Sequence, residues 1–290
     1  MAGMVTVGIV SPGFMGAGLG GALRSGGARV VATVAGRSAR SRALAAAAGL
    51  DLLPGLVEVV EIADVVLSVT PPGQAVAAAH AIAAAAGESG ATPLVADLNA
   101  VSPATMVKIA DGCGGLPVVD GAISGPPPSA RPGARIFLSG VRAADIAALP
   151  WDGQVEPIVL DAGLGAASAV KMCTASVYKG LNALVTQAMR TAGRHGVLDQ
   201  VLADLARNDL DGSAGVAVAA TKAHRFVDEM REIAATQADA GLTPALFEAF
   251  AAVYADVART ALAGGDPESV GTGLDPAEMV LRLAARTGAP

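Results

Sequence analysis

The chain is poor in aromatic residues: five Phe, two Tyr and one Trp make up 3% of its 290 positions. Three of the phenylalanines, with Tyr254, lie between Phe226 and Tyr254, a grouping that reads as core packing or a dimer surface. Two cysteines, Cys113 and Cys173, are too few and too far apart for a disulfide framework. The three histidines, His80, His195 and His224, form no ligand-spaced cluster, so no metal is expected. The 52% hydrophobic content is dominated by alanine and broken by glycine, proline and charge. No apolar run reaches the ~20 residues of a bilayer span. A net charge of −6 without a long basic run argues against a nucleic-acid partner. The first residues carry neither a basic region nor a cleavage site, and their apolar stretch belongs to a strand, so the expected location is cytoplasmic.

What is present begins at the N-terminus. The apolar run Met4–Val10 breaks into Ser11-Pro12-Gly13-Phe14-Met15-Gly16 and then turns helical. Gly13 allows close approach of a pyrophosphate, Gly16 allows the helix to pack on the strand, and the free N–H groups of the first helical turn face the anion. The full fingerprint is G-x-G-x-x-G; here Ser11 stands at its first glycine. A second strand, Arg29–Val34, leads into Gly36-Arg37-Ser38-Ala39-Arg40, with no acid for a ribose 2′-hydroxyl. Arg37, Ser38 and Arg40 offer a guanidinium for adenine and donors for a 2′-phosphate, which predicts NADP(H) rather than NAD(H).

Strand and helix signals alternate onward. A buried strand, Val65–Val69, stops at Thr70-Pro71-Pro72; a helix over 74–86 follows, then the strand Pro93–Asn99 and a Ser102-Pro103 helix start. Pro117–Ala122 leads into the loop Ser124-Gly125-Pro126-Pro127-Pro128, and Ala134–Leu138 is the next strand. Such alternation predicts a parallel sheet covered on both faces, with Pro12, Thr70, Asn99 and Ser124 converging beyond the strand ends. From Gly165 the pattern is helical. It predicts one long helix over 166–194, about 40 Å at 1.5 Å per residue, then helices over 198–207, 214–241 with a break near Phe226, 244–263 and 276–286. Residues 1–163 are therefore expected to bind the dinucleotide. Residues 164–290 form the long helix and a small helical substrate and dimerisation domain.

Only four lysines occur, and two of them, Lys171 and Lys179, lie in the apolar long helix. Lys171, Tyr178 seven residues on and Asn182 share a stripe, whereas Lys179 is rotated about 100° from Tyr178. A lysine on a cleft wall can protonate the alkoxide formed by hydride transfer; a lysine that only snorkels is the alternative. For Lys179 the two readings stand equal, and for Lys171, one turn into a glycine-started helix, the functional one is preferred.

Three segments carry a resemblance. Ser11–Gly16 is similar to a glycine-x-glycine-x-Met-glycine turn, Asp120-Gly121-Ala122-Ile123-Ser124-Gly125-Pro126 to Asp-x-x-x-Ser-Gly-Gly, and Gly165–Lys171 with Ala175 to Gly-Ala-Gly-x-x-x-Lys-x-x-x-Asn. These motifs resemble the β-hydroxyacid dehydrogenase superfamily, which includes 6-phosphogluconate dehydrogenase and, more distantly, the imine reductases. The resemblance covers residues 1 to about 187. It implies a Rossmann-type, doubly wound α/β domain followed by the long helix and a small all-α domain, as in a bacterial branch whose helical domain has no assigned function and in which the lysine at Lys179 recurs. It makes Lys171 the general acid/base, has Ser124 and the Gly125 amide bind a substrate carboxylate beside Pro126, and puts Asn99 and Thr70 at the nicotinamide. The sequence departs from the pattern at Ser11, Pro126, Ala167 and Ala175, and Tyr178 stands one turn beyond the lost asparagine.

The reading is an NADP(H)-dependent oxidoreductase acting on a small hydroxy or oxo compound, an acid, in a homodimer. Imine reduction, and an NADP-binding sensor without turnover, are its alternatives.

Overall fold

The computed structural model describes residues 4–265, 267 and 273–286. Two compact units, Met1–Met172 and Cys173–Pro290, divide inside a helix.

The first unit is built on one sheet. Its strands are β1 (Thr6–Val10), β2 (Arg29–Thr33), β3 (Asp51–Leu53), β4 (Val65–Ser68), β5 (Leu94–Asp97), β6 (Val118–Ser124), β7 (Ala134–Ser139) and β8 (Val155–Val159), in the order β3-β2-β1-β4-β5-β6-β7-β8. β1 to β6 run parallel, β7 is antiparallel to β6, and β8 is parallel to β7. The helices between them are α1 (Phe14–Ser25), α2 (Ala39–Ala47), α3 (Leu56–Ile62), α4 (Ala75–Ser89), α5 (Pro103–Gly112) and α6 (Ala143–Ala147). Alternate strand residues feed two cores: Val65 and Leu67 join Leu19, Leu23, Ile136 and Ile146 on one face, while Val66 and Val95 join Ile82, Met106 and Ile109 on the other. Burial on both faces explains the unbroken apolar runs of the inner strands. This is the doubly wound α/β architecture expected from the alternation; β3, α3, α6 and β8 are additions to it.

Two carboxylates lie inside this apolar layer. Asp97 and Asp120 are register partners on β5 and β6, 1% and 0% exposed. Asp120 accepts hydrogen bonds from the Ser139 hydroxyl (3.0 Å), the Gly165 amide (2.9 Å), and the Ser168 amide (3.0 Å) and hydroxyl (2.7 Å). Asp97 accepts from the Asn99 amide (3.1 Å) and from Asn99 Nδ2 (2.7 Å).

The long helix is α7 (Ala166–His195), close to its expected span. Its first turns, including Lys171, belong to the first unit, because Asp120 and Ser139 bond its N-terminal amides. The second unit continues with α8 (Leu198–Ala206), α9 (Ser213–Thr221), α10 (Ala223–Asp239), α11 (Ala245–Val257) and α12 (Pro276–Ala284). The break expected near Phe226 falls at Lys222, leaving Phe226 inside α10, where its ring meets Tyr254 edge-on at 5.2 Å. Tyr254 and Phe250 of the aromatic grouping are buried in the core of this unit, and Phe226 and Phe247 are half-buried beside them. Among the described residues no helix is long and apolar enough to cross a membrane.

Burial pushes the Asp97 carboxyl up to about 7, against hydrogen bonds from Asn99 and Ser68 that favour its ionised form, with the charge of Asp120 adding to the rise. The native state therefore holds this proton more tightly than the unfolded chain, whose ordinary value is 3.8. The stabilisation is complete below that value and is lost as pH rises through about 7. Urea unfolding between pH 5 and 8 should show stability falling towards pH 8, by at most about 1.4 kcal/mol per pH unit from this group. Asp97→Asn, which mimics the protonated acid, should flatten that fall; an unchanged slope would clear Asp97 as its source.

Candidate active site

The carboxyl ends of β1, β4, β5 and β6 are adjacent in the parallel part of the sheet, so the turns that follow them share one edge about 14 Å across. At β1, Ser11 takes φ +68°, the left-handed conformation for which the fingerprint uses glycine. Its carbonyl accepts the Gly13 amide at 2.8 Å. A Cβ on Gly16 would lie 2.5 Å from that same carbonyl, so the turn can close only on glycine there. Gly13 is the reverse case: a Cβ on it meets nothing within 4 Å. The glycine leaves open space above the N-terminus of α1, whose N-cap makes no side-chain hydrogen bond. Pro12 is buried, and Phe14 and Met15 are half-buried. The helix thus offers amides and a partial positive charge to an anion.

The neighbouring strand β2 ends in a turn closed by the Arg37 amide on the Val34 carbonyl (3.0 Å). Ser38 caps α2 by accepting the Ser41 amide at 3.2 Å, so its hydroxyl is engaged in helix formation. Arg37 and Arg40 flank it, both half-buried.

After β4, the Thr70 amide donates to Asn99 Oδ1 at 2.5 Å. Asn99 Nδ2 donates to the Ser68 hydroxyl (3.1 Å) and to Asp97 (2.7 Å), and the residue is 3% exposed. Both amide protons of Asn99 are therefore spent inside the protein, and the side chain works as a strut that sets the backbone at Thr70. The Thr70 hydroxyl is buried with no hydrogen-bond partner among the described residues. Pro71 and Pro72, half-buried, open the turn into α4.

At β6, Ser124 ends the strand and Gly125 takes φ +114°. Pro126 is half-buried; Pro127 and Pro128 are buried. A Cβ on Gly18 of α1 would come within 3.2 Å of Pro127, Pro128 and Ser129, so this loop rests directly on the helix that follows the nucleotide turn. Register pairing of β6 with β5 stops at Asp120. Beyond it the Ile123 carbonyl accepts Lys171 Nζ at 2.7 Å, which brings the half-buried amine beside Ser124.

The structure therefore unites Ser11–Gly16, Arg37, Arg40, Thr70, Asn99, Ser124, Gly125 and Lys171 in the first unit. Tyr178 and Lys179 belong to the second. Tyr178 is 70% exposed. The Lys179 amine is ion-paired with Glu229 and lies 4.4 Å over the Phe226 ring, and the Lys179 backbone carbonyl accepts a hydrogen bond from Tyr254 Oη. That amine is committed to holding helices together. Asp120 opens the loop motif in the sequence, but its four donors are 19 to 48 residues away, so no local signal marks its role. Among the described residues no group of three or more His, Cys, Asp and Glu side chains could hold a metal.

Residues 192–257 match a family described as a domain of unknown function (DUF1932). No curated protein matches the chain. A conserved protein of unknown function reported to resemble 3-hydroxyacid dehydrogenases is 26% identical, over 87% of this chain and 96% of that one, with a TM-score of 0.64. The 3-hydroxyisobutyrate dehydrogenase of Mycobacterium tuberculosis, solved with L-serine, is 20% identical over 98% of this chain and 100% of its own, with a TM-score of 0.67. An imine reductase of Streptomyces aurantiacus is 22% identical over 90% and 96%, with a TM-score of 0.53. The resemblance drawn from the motifs is borne out: the chain has the fold shared by 3-hydroxyacid dehydrogenases and imine reductases, with a DUF1932 segment in its helical part.

Proposed function

We propose that this chain is a cytoplasmic, NADP(H)-dependent oxidoreductase that interconverts a small hydroxy acid and its oxo form, with Lys171 as general acid/base. One observation carries the reading: the Lys171 amine, bonded to the Ile123 carbonyl at 2.7 Å, stands beside Ser124 at the strand edge that also bears the nucleotide turn. Two free cysteines, one buried and one exposed, suit a reducing compartment.

The residues fit a nicotinamide dinucleotide. The open space over Gly13 and the amides opening α1 suit a pyrophosphate. The partnerless Thr70 hydroxyl suits a polar group of the ligand, and Arg37 and Arg40 suit a 2′-phosphate. The nicotinamide supplies or accepts the hydride. In reduction, the Lys171 ammonium gives its proton to the oxygen that becomes the alcohol; in oxidation the neutral amine takes it back. The Ser124 hydroxyl and Gly125 amide donate to the substrate carboxylate and hold its carbon in place. Three prolines in succession withhold N–H donors from the rest of that loop. This observation favours imine reduction as the second reading, since a substrate without a carboxylate needs fewer donors.

The helix α7 exposes Val177, Leu181 and Leu184 along one stripe, with Tyr178 beside it. A second copy related by a two-fold axis would cover this stripe, which is the support for a homodimer.

Three outcomes are expected. In titrations of the purified protein, NADPH should bind tighter than NADH, and Arg37→Ala with Arg40→Ala should erase the difference; Gly13→Ala should weaken NADPH at least ~10-fold at an unchanged melting temperature, since its Cβ fills only ligand space. Equal affinity for both cofactors would withdraw the NADP(H) assignment. NADPH oxidation with short 2-oxo and 3-oxo acids should show turnover that drops ~100-fold or more in Lys171→Ala. Turnover of cyclic imines that survives this substitution would move the assignment to imine reduction, and binding without any turnover would leave a sensor. Sedimentation at micromolar concentration should give a dimer that Leu181→Lys dissociates, and a monomeric wild type would remove the dimer.

A further inference from the structure

We propose that Asp120 is a positioning residue for the proton transfer assigned to Lys171, and the role rests on that assignment. An α-helix begins with amides that have no partner within it. In α7 those amides are satisfied from the sheet. Asp120 takes the Gly165 and Ser168 amides, and the Ser139 hydroxyl takes the Ala167 amide at 3.1 Å while itself donating to Asp120. The cap is a carboxylate 45 to 48 residues away in sequence, on the inner strand β6. A negative charge at this end of the helix also meets its partial positive charge, at a residue buried from bulk solvent, where the attraction is screened less.

The consequence for Lys171 follows from spacing. Ser168 and Lys171 are three apart, hence on one side of α7. Ser168 bonds Asp120 with both its amide and its hydroxyl, and Lys171 bonds the carbonyl of Ile123, three residues further along the same strand. The helix advances about 4.5 Å between its two points and the strand about 10 Å, a difference the lysine side chain spans. Two helix residues are thereby held against two strand residues, and the amine can neither slide along α7 nor rotate about it without breaking bonds to Asp120. Ser124, which ends the same strand, is held in register with it. Asp120 spends its hydrogen bonds on Ser139, Gly165 and Ser168, and through them determines where the proton donor stands relative to the substrate loop.

The test uses the full-length protein and two readouts. With four lysines in the chain, trace acetylation by acetic anhydride and mass spectrometry reports the reactivity of each. In Asp120→Asn the reactivity of Lys171 should rise about fivefold, as expected on weakening one hydrogen bond, while Lys179 in the second unit stays unchanged. For the oxo acid that the wild type turns over, kcat should fall ~10- to ~100-fold, with KM and NADPH affinity within about twofold, because misplacement by about 1 Å is enough for such a loss. Ser168→Ala, which removes the 2.7 Å bond alone, should show the same pattern more weakly and stands in if Asp120→Asn does not fold. A folded variant with unchanged Lys171 reactivity, or a loss spread evenly over KM, NADPH affinity and all four lysines, would overturn the proposal. Turnover that survives Lys171→Ala would instead overturn the acid/base assignment, a failure visible without any Asp120 variant.

Discussion

A carboxylate sealed inside a sheet is costly unless every oxygen finds donors, and Asp120 finds four. Three of them come from the residues that begin α7, so satisfying the charge and starting the longest helix are one event. The same helix carries Lys171, and the same strand ends in Ser124. The geometry of the candidate site is thus tied to an electrostatic requirement of the interior. Asp97, its register partner on β5, meets the requirement differently: burial pushes its carboxyl up to about 7, against the hydrogen bonds from Asn99 and Ser68. Two acids side by side are tolerable because they need not both be charged.

A second constraint acts through the backbone around Ser11. The chain turns sharply between β1 and α1, and the closeness of the Ser11 carbonyl to Gly16 leaves no space for a side chain at that glycine. Ser11 accepts a left-handed conformation that costs an L-residue roughly 1–2 kcal/mol. The degraded first position of the fingerprint therefore does not mean a different turn. The loop after β6 leans on α1 at Gly18, so the turn at Ser11–Gly16 and the loop bearing Ser124 share one support. Asn99 belongs to this framework: its side chain faces Ser68, Asp97 and the Thr70 amide, and what it contributes at the edge it contributes through Thr70.

The elements that were legible in advance are those whose signal lies within their own residues. β1, β2, β4, β5, β6 and β7 are apolar runs bounded by glycine or proline, and α7 is a long segment free of proline. β3 is three residues with two exposed, and β8 contains Pro157 and a charged, solvent-facing Glu156, so neither stands out as a run. α3 does not stand out either, because its two buried residues are the adjacent Val59 and Val60, which show no helical period. Lys171 and Lys179 look alike along the sequence, eight residues apart in one helix, and different neighbours separate them: a β6 carbonyl for the first, Glu229 and Phe226 for the second.

Local chemistry by itself determined the glycine turn after β1, the parallel alternation, the long helix and the lysine on it, because glycine freedom, β-branched runs, capping residues and helical spacing act within a few residues of the chain. Only the tertiary structure decided that Asp120 caps α7, that Asn99 braces Thr70, and that Lys179 is bound in an ion pair. Each of these depends on a partner tens of residues away, and burial turns such an optional pairing into an obligatory one, because a charge or amide removed from water must be met by whatever the fold brings beside it.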